Sequence, residues 1–367
     1  MKIAIVGNLG QSGYIIAKAL RQQGQDADLF ITCKNNKIAK GQDPKEYEEA
    51  AQNYSWIKLY NTSPALKAIY QGLQIFPKYD RMIALTLSPA YVQFFNKNYI
   101  AISTGSDLRE FVFEKGIMNF LLRLSYKNAK YLFCGISEMN TAIKELRLEN
   151  KSAPLFTPID INLLESYAKK CPVGRNGDLT IFAPSSWITS KYNKFSKGID
   201  KLLEASIKLI EEGYALKLKL IDFSNAGLKR EDVEYVKNIA GQSKGKIEII
   251  PRIPGRQELV CQYLQSDIIA DQFDIGLFGN IGGEALACKK PLLTFFNKEY
   301  FKYYKGEIAP IINCQTQEEI YQELKKILLL PGQEREKNLQ ILGEQGYNWL
   351  LRHHALPIIA QKIINVL

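Results

Sequence analysis

The stretch Lys2-Ile3-Ala4-Ile5-Val6-Gly7-Asn8-Leu9-Gly10-Gln11-Ser12-Gly13 decides the fold class. Its short apolar run, rich in β-branched residues, reads as a strand buried on both faces. Glycines at 7, 10 and 13 read as a tight turn into a helix. Ile15, Ile16, Ala19 and Leu20 follow at helical spacing, and Gly24 ends that helix. Ala27–Thr32 supplies a second strand. A strand, helix, strand opening of this kind predicts an α/β fold with a parallel, doubly wound sheet.

Further units extend outward from that start. Met82–Leu87, Tyr99–Ser103 and Lys130–Gly135 read as strands, and Ser137–Leu148 as a helix. Pro154, Pro158 and the polar stretch Lys169 to Asp178 interrupt the pattern. It then restarts. Strands are expected at Leu179–Ala183, Leu216–Ile221, Ile247–Pro251, Ile268–Asp271 and Pro291–Phe296. Helices are expected at Lys197–Glu212, Arg230–Gly241, Gln257–Ser266, from Gly283, and at Thr316–Leu330. The reading gives two Rossmann-like domains, 1–168 and 169–345, facing each other across a cleft. Terminal helices at 346–367, broken at Pro357, cross back to the first domain.

Composition narrows the chemistry. With 367 residues, 46% hydrophobic and 23% charged, the chain has a globular balance. No apolar run is long enough to span a bilayer, and no secretory leader is expected. Six scattered cysteines without a CxxC pair predict reduced thiols, a cytoplasmic setting and no zinc site. The two histidines, His353 and His354, leave no Ser-His-Asp triad in the expected cleft. A net charge of +10 suits anionic partners: nucleic acid, anionic lipid or phosphorylated ligands. No nucleic-acid reader motif is present, so a nucleic-acid partner is not expected.

Four constellations could carry chemistry. The Gly7/Gly10/Gly13 loop could let an anion approach a helix N-terminus, or could simply be a turn that needs glycine. A nicotinamide dinucleotide would want an acid at the end of the second strand, but Asp26 and Asp28 stand at its beginning. Thr104-Gly105-Ser106-Asp107 follows a strand, where a ligand crevice or a helix cap would both fit. Ser185, Ser186, Lys191, Lys194 and Lys197-Gly198 gather hydroxyls and ammonium groups before a helix, a pattern that favours phosphate, and Gly198 would clear space for it. Finally, Asp271 to Pro291 carries a glycine-rich loop, Phe278-Gly279-Asn280-Ile281-Gly282-Gly283, running into a helix with Glu284 in its first turn. Its amides suit a pyrophosphate, and an ionised carboxylate suits a ribose diol.

Taken in order, these residues resemble the GT-B fold glycosyltransferases, in particular the retaining enzymes of glycosyltransferase family 4. Lys197-Gly198 with Ile199 to Ala205 is similar to that family's diphosphate-binding stretch. Phe278-Gly279 through Glu284-Ala285-Leu286-Ala287 and Lys290-Pro291 is similar to its donor segment. Gly10, Gln11 and Ser12, with Gly105, Ser106 and Asp107, resemble its acceptor-side segments. Three features depart from the family pattern. Gly276 stands where a first glutamate is usual, no arginine shortly precedes Lys197, and Thr104 replaces a frequent histidine.

The resemblance implies glycosyl transfer from a nucleotide sugar with retained configuration. The first domain would take a carbohydrate or lipid-linked acceptor and the second the donor. Lys197, Asp107 and Glu284 would be catalytic, with no cofactor and no metal, since no DxD motif is present. A degenerate nucleotide-sugar-binding protein is the alternative. Lys115 to Phe133 mixes Ile117, Met118, Phe120, Leu121, Leu122, Leu124, Tyr131 and Leu132 with Lys115, Arg123, Lys127 and Lys130. It reads either as a surface for an anionic membrane, placing the protein on the inner face of that membrane, or as a core-facing helix followed by a strand.

Overall fold

The computed structural model describes residues 1–34, 37–38, 55–63, 65–96, 98–172, 177–193 and 196–367. They form two compact units, 1–158 with 354–367, and 159–353. The helix Ile161–Ala168 therefore lies in the second unit, as does the long helix Gly332–His353, and only the last fourteen residues return to the first. Residues 173–176 of the expected linker lie outside the described residues.

The first unit holds β1 (Lys2–Val6), β2 (Asp26–Lys34), β3 (Lys37–Ile38), β4 (Ile57–Asn61), β5 (Arg81–Leu85), β6 (Tyr99–Ile102), β7 (Tyr131–Cys134) and β8 (Ser152–Pro154). Their order is β3-β2-β1-β5-β6-β7-β8, with β4 also paired to β2. All pairings are parallel except β2 with β3. Ile3 to Val6 are fully buried, as a central strand covered on both faces must be. The chain leaves β1 for β2 on one side and returns to β5 on the other, so the turn after β1 sits at the switch point of the sheet.

One face of this sheet is covered by the helices Ala65–Ile75, Pro89–Val92 and Ile117–Asn128, which contribute Ala68, Val92, Leu122 and Tyr126 to the core. The terminal helix Leu356–Ile364 packs beside the first helix, Ser12–Gln22. Pro357 does not break a helix there. It lies in the first turn of the last one, where a missing N–H costs nothing.

The second unit holds β9 (Leu179–Ala183), β10 (Leu216–Ile221), β11 (Ile247–Ile250), β12 (Ile268–Ala270), β13 (Leu292–Thr294) and β14 (Ile312–Asn313). The order is β11-β10-β9-β12-β13-β14, parallel throughout. Its switch point lies between β9 and β12, so the residues following those two strands flank it. The fold is α/β, with two doubly wound, Rossmann-like domains.

The thiols differ from expectation. Cys171 and Cys261 form a disulfide, with Cα atoms 5.1 Å apart. It ties the segment after Ile161–Ala168 to the helix Arg256–Leu264. Spacing could not reveal the pair, because 90 residues separate the two cysteines. Cys33, Cys134, Cys288 and Cys314 are buried and outside any disulfide.

Candidate functional site

The second unit brings together the residues that flank its switch point. Ser185, just past β9, donates from Oγ to Asp271 Oδ1 at 2.7 Å. Asp271, just past β12, is buried, and its Oδ2 has no hydrogen-bond partner. That oxygen would lie 3.2 Å from a Cβ added at Gly279 and 3.6 Å from one at Gly282, so it is aimed at the glycine-rich loop. Gln272 follows. Its Oε1 accepts from Lys197 Nζ at 3.2 Å, while its Nε2 donates to the Leu277 carbonyl at 2.6 Å. Lys197 is thereby held to the loop that leads into the helix Asn280–Ala287. Its backbone is fixed as well, donating to the Ile188 carbonyl and accepting from the Phe273 amide, each at 2.8 Å.

In that helix the Gly283 amide bonds back to the Gly279 carbonyl at 3.2 Å. The amides before it, at Asn280, Ile281 and Gly282, occupy first-turn positions that have no acceptor within a helix. They present the positive end of the helix dipole. A half-buried ammonium, held through Gln272 to the loop before the helix, and a set of first-turn amides carry the positive charge that suits a phosphate group.

The helix begins at Asn280 and has no acidic residue in its first turn, so Glu284, expected there, falls one turn further in and is largely withdrawn from solvent. It is 4% exposed, with Arg256 Nη1 2.9 Å from its Oε1 and the Tyr263 hydroxyl donating to Oε2 at 2.9 Å. Burial raises its carboxyl above the ordinary value, and Arg256 and Tyr263 draw it back only in part. Arg256 opens its helix after Gly255, at the carboxyl end of β11. Arg256, Tyr263 and Gln272 escape the sequence reading. Arg256 and Glu284 lie far apart in the chain, and only the parallel order β11-β10-β9-β12 converges their helices. Gln272 carried one signal, its place directly after a switch-point strand.

Other expected donor residues have different partners. Lys191 is bonded to Glu204 at 2.6 Å and lies 4.5 Å from the centroid of the Tyr235 ring, so it does not join Lys197. The bond to Glu204 holds its ammonium well above the usual lysine range. Lys194 lies outside the described residues. Ser186 is half-buried beside the fully buried Trp187. Phe278 stacks on Phe296 at 4.5 Å and packs on Trp349 at 5.3 Å, which fixes the loop from behind.

Two glycines serve the chain rather than a ligand. Gly198 has φ +70°, and a Cβ there would come 3.0 Å from Phe273 Cβ. A Cβ at Gly283 would come 2.5 Å from Ile159 Cδ1.

In the first unit, the glycine turn is closed on itself. A Cβ at Gly13 would stand 2.0 Å from the Gly7 carbonyl oxygen, so helix and strand could not approach as they do. Asn8 Oδ1 accepts from the Tyr14 amide at 2.7 Å, and Asn8 Nδ2 donates to the buried Gln11 at 2.9 Å. Gly10 is exposed and Ser12 half-buried.

Asp107 is 0% exposed. It accepts from the Thr104 amide at 3.0 Å and from the Tyr126 hydroxyl. Both of its oxygens are thereby engaged in holding the turn Thr104-Gly105-Ser106, where Gly105 has φ +129°, rather than presented to solvent as a catalytic role expects. Behind that turn, buried Glu138 lies 3.7 Å from Arg109. The histidines are committed elsewhere, His353 to Glu307 at 3.0 Å and His354 to the Thr157 carbonyl at 2.9 Å.

No family model and no curated protein matches the chain. Solved structures do. The complex of HepE from Anabaena with UDP and glucose is similar at a TM-score of 0.68 and 14% identity, covering 100% of this chain and 98% of that one. A glycosyltransferase from Rickettsia africae is similar at 0.66 and 15%, covering 100% and 97%. Sucrose-phosphate synthase from Thermosynechococcus elongatus is similar at 0.64 and 11%, covering 100% and 98%. Whole-chain likeness at such low identity establishes the fold, that of the two-domain GT-B enzymes.

Proposed function

We propose that this protein transfers a glycosyl group from a nucleoside diphosphate sugar to an acceptor hydroxyl, retaining the anomeric configuration and using no metal ion. The observation that carries the reading is the positive charge of Lys197, held by Gln272, and of the first turn of Asn280–Ala287. Support comes from HepE, solved with UDP and with UDP-glucose on the same fold. In the reaction the bond from the anomeric carbon to the diphosphate oxygen breaks and a bond to the acceptor oxygen forms. The acceptor proton leaves with the diphosphate. Charge builds on the departing oxygens, where a fixed ammonium and helix-end amides stabilise it. Losing one such donor typically costs about 10²–10³ in rate.

Glu284 is the proposed ribose acceptor. An ionised carboxylate has about four acceptor sites, and Arg256 and Tyr263 use two. The acceptor, a free or lipid-linked carbohydrate, falls to the first unit, whose Gly10 and Gly105 turns lie at the carboxyl end of its sheet.

A second reading, a sugar-nucleotide-binding protein without turnover, rests on Gly276. Its φ of +73° and the 3.0 Å approach of Phe295 to a Cβ there leave no room for the glutamate usual at that position. Calorimetry with UDP and UDP-glucose, paired with an assay for released UDP, separates the two. Binding with release supports the transferase, binding without release in the presence of varied acceptors supports the second reading, and no binding refutes both.

A further inference from the structure

The outer side of the first unit's helical layer is apolar to an unusual degree. On the helix Ile117–Asn128, Ile117 is 82% exposed, Phe120 57% and Leu124 37%. These positions recur at three and four residues and so form one stripe. The opposite face, Leu122, Ser125 and Tyr126, is buried in the core, so the helix is apolar on both sides. The neighbouring elements continue the surface. Gln93 bonds to the Leu121 carbonyl at 3.1 Å, which places Pro89–Val92 alongside, and Phe94 just after it is 63% exposed. The ring of Phe95 meets Gly72 on the next helix, Ala65–Ile75, where Ile69 is 50% and Leu73 56% exposed. Single exposed apolar residues are ordinary, but six on two helices and the turn after a third are not.

The charges choose the occupant. Lys115 precedes the stripe and Lys127 continues it at the next helical step, both exposed, with Arg123 beside it. A protein interface depletes lysine from its centre, whereas an anionic bilayer draws basic side chains to the rim of an inserted apolar face. The whole chain, at +10, is attracted to the same surface.

We infer that this layer docks on an anionic lipid bilayer, inserting Ile117, Phe120 and Phe94 among the lipids while Lys115 and Lys127 meet the headgroups. Among the described residues no helix is long and apolar enough to cross a membrane, so the contact is peripheral. The stripe starts near the Gly105 turn, at the carboxyl end of the sheet. Resting on the transferase reading, the acceptor is then a lipid-linked hydroxyl presented at that surface.

The test is flotation of the full chain with vesicles of phosphatidylcholine alone or mixed with phosphatidylglycerol. Binding is expected only to the mixed vesicles, and added salt should weaken it. The double variant Ile117→Ser/Phe120→Ser should bind about tenfold or more weakly. Lys115→Glu/Lys127→Glu, which keeps the apolar face and substitutes only exposed positions, should lose the preference for phosphatidylglycerol. No flotation of the wild type overturns the inference, as does unchanged flotation of either variant. A dimer in sedimentation velocity that the serine variant disperses also overturns it, assigning the face to a second copy. Nucleoside diphosphate affinity, measured on the same samples, should be unchanged by either variant. Its absence in the wild type would refute the transferase reading while leaving vesicle binding intact.

Discussion

Arg256 Nη1 stands 2.9 Å from Glu284 Oε1, and this pair, with Tyr263, binds the helix Arg256–Leu264 to the helix Asn280–Ala287. Removing one partner of a buried pair leaves the other charge unpaired, at about 3–5 kcal/mol. Arg256→Leu should therefore lower stability by that order in a urea melt. A loss within about 0.5 kcal/mol, the range of ordinary surface substitutions, would mean that the pair does not hold these helices together.

The same carboxyl gives stability a pH dependence. Burial raises Glu284 above its ordinary value of 4.5. As pH rises past that value the unfolded chain releases the proton first, while the folded chain keeps it longer. The unfolded state then binds fewer protons, so stability falls with rising pH across this window. Burial raises Asp107 and Glu138 too, so part of the slope is theirs. Glu284→Gln cannot titrate. Its Tm should fall less steeply than that of the wild type as pH rises above 4.5. Parallel curves would remove Glu284 as a contributor.

The Cys171–Cys261 disulfide closes a loop across a 90-residue separation. Constraining a loop of that size in the unfolded state contributes about 4.6 kcal/mol in the chain-entropy account. Cys171→Ser/Cys261→Ser should lower the Tm accordingly, by several degrees. Thiol titration in denaturant without reductant should find the four cysteines that are free in the structure. Finding six would show the bridge open under the conditions used.

The sheet cores were legible because fully buried parallel strands are continuous apolar runs. β1, β9 and β10 fall within a residue of the expected bounds. The short edge strands were not: β3, β8 and β14 span only two or three residues, too few for any period. Helix starts were displaced by local backbone. Gly198 takes a left-handed conformation, so its helix begins at Ile199 rather than Lys197, and the helix after the glycine-rich loop begins at Asn280 rather than Gly283. At the site, Lys197 and the glycine loop were legible because each carries its own chemistry. What was hidden is the wiring between distant segments: Lys191 to Glu204, Asp107 to Tyr126, Arg256 to Glu284. A side chain of the right type advertises a role, but only the fold shows which partner already occupies it.

The remaining prediction concerns Lys197 and Gln272. Gln272 Oε1 accepts from Lys197 Nζ while its Nε2 is fixed on the Leu277 carbonyl, so the amide orients the ammonium. Lys197→Ala should remove a charged hydrogen bond to diphosphate, weakening nucleoside diphosphate binding by about 1.5–3 kcal/mol. Nucleoside affinity should stay unchanged. Gln272→Ala should shift the same ratio in the same direction by less, because the ammonium remains but loses its orientation. In the Lys197→Ala background, Gln272→Ala should then cost almost nothing, since there is no ammonium left to aim. Groups in one hydrogen-bonded network typically couple by about 0.5–3 kcal/mol in such a cycle. Calorimetric affinities for nucleoside and nucleoside diphosphate in the four proteins decide it. Strictly additive losses would make Gln272 an independent contributor, and an unchanged diphosphate advantage in Lys197→Ala would move the phosphate site away from this loop.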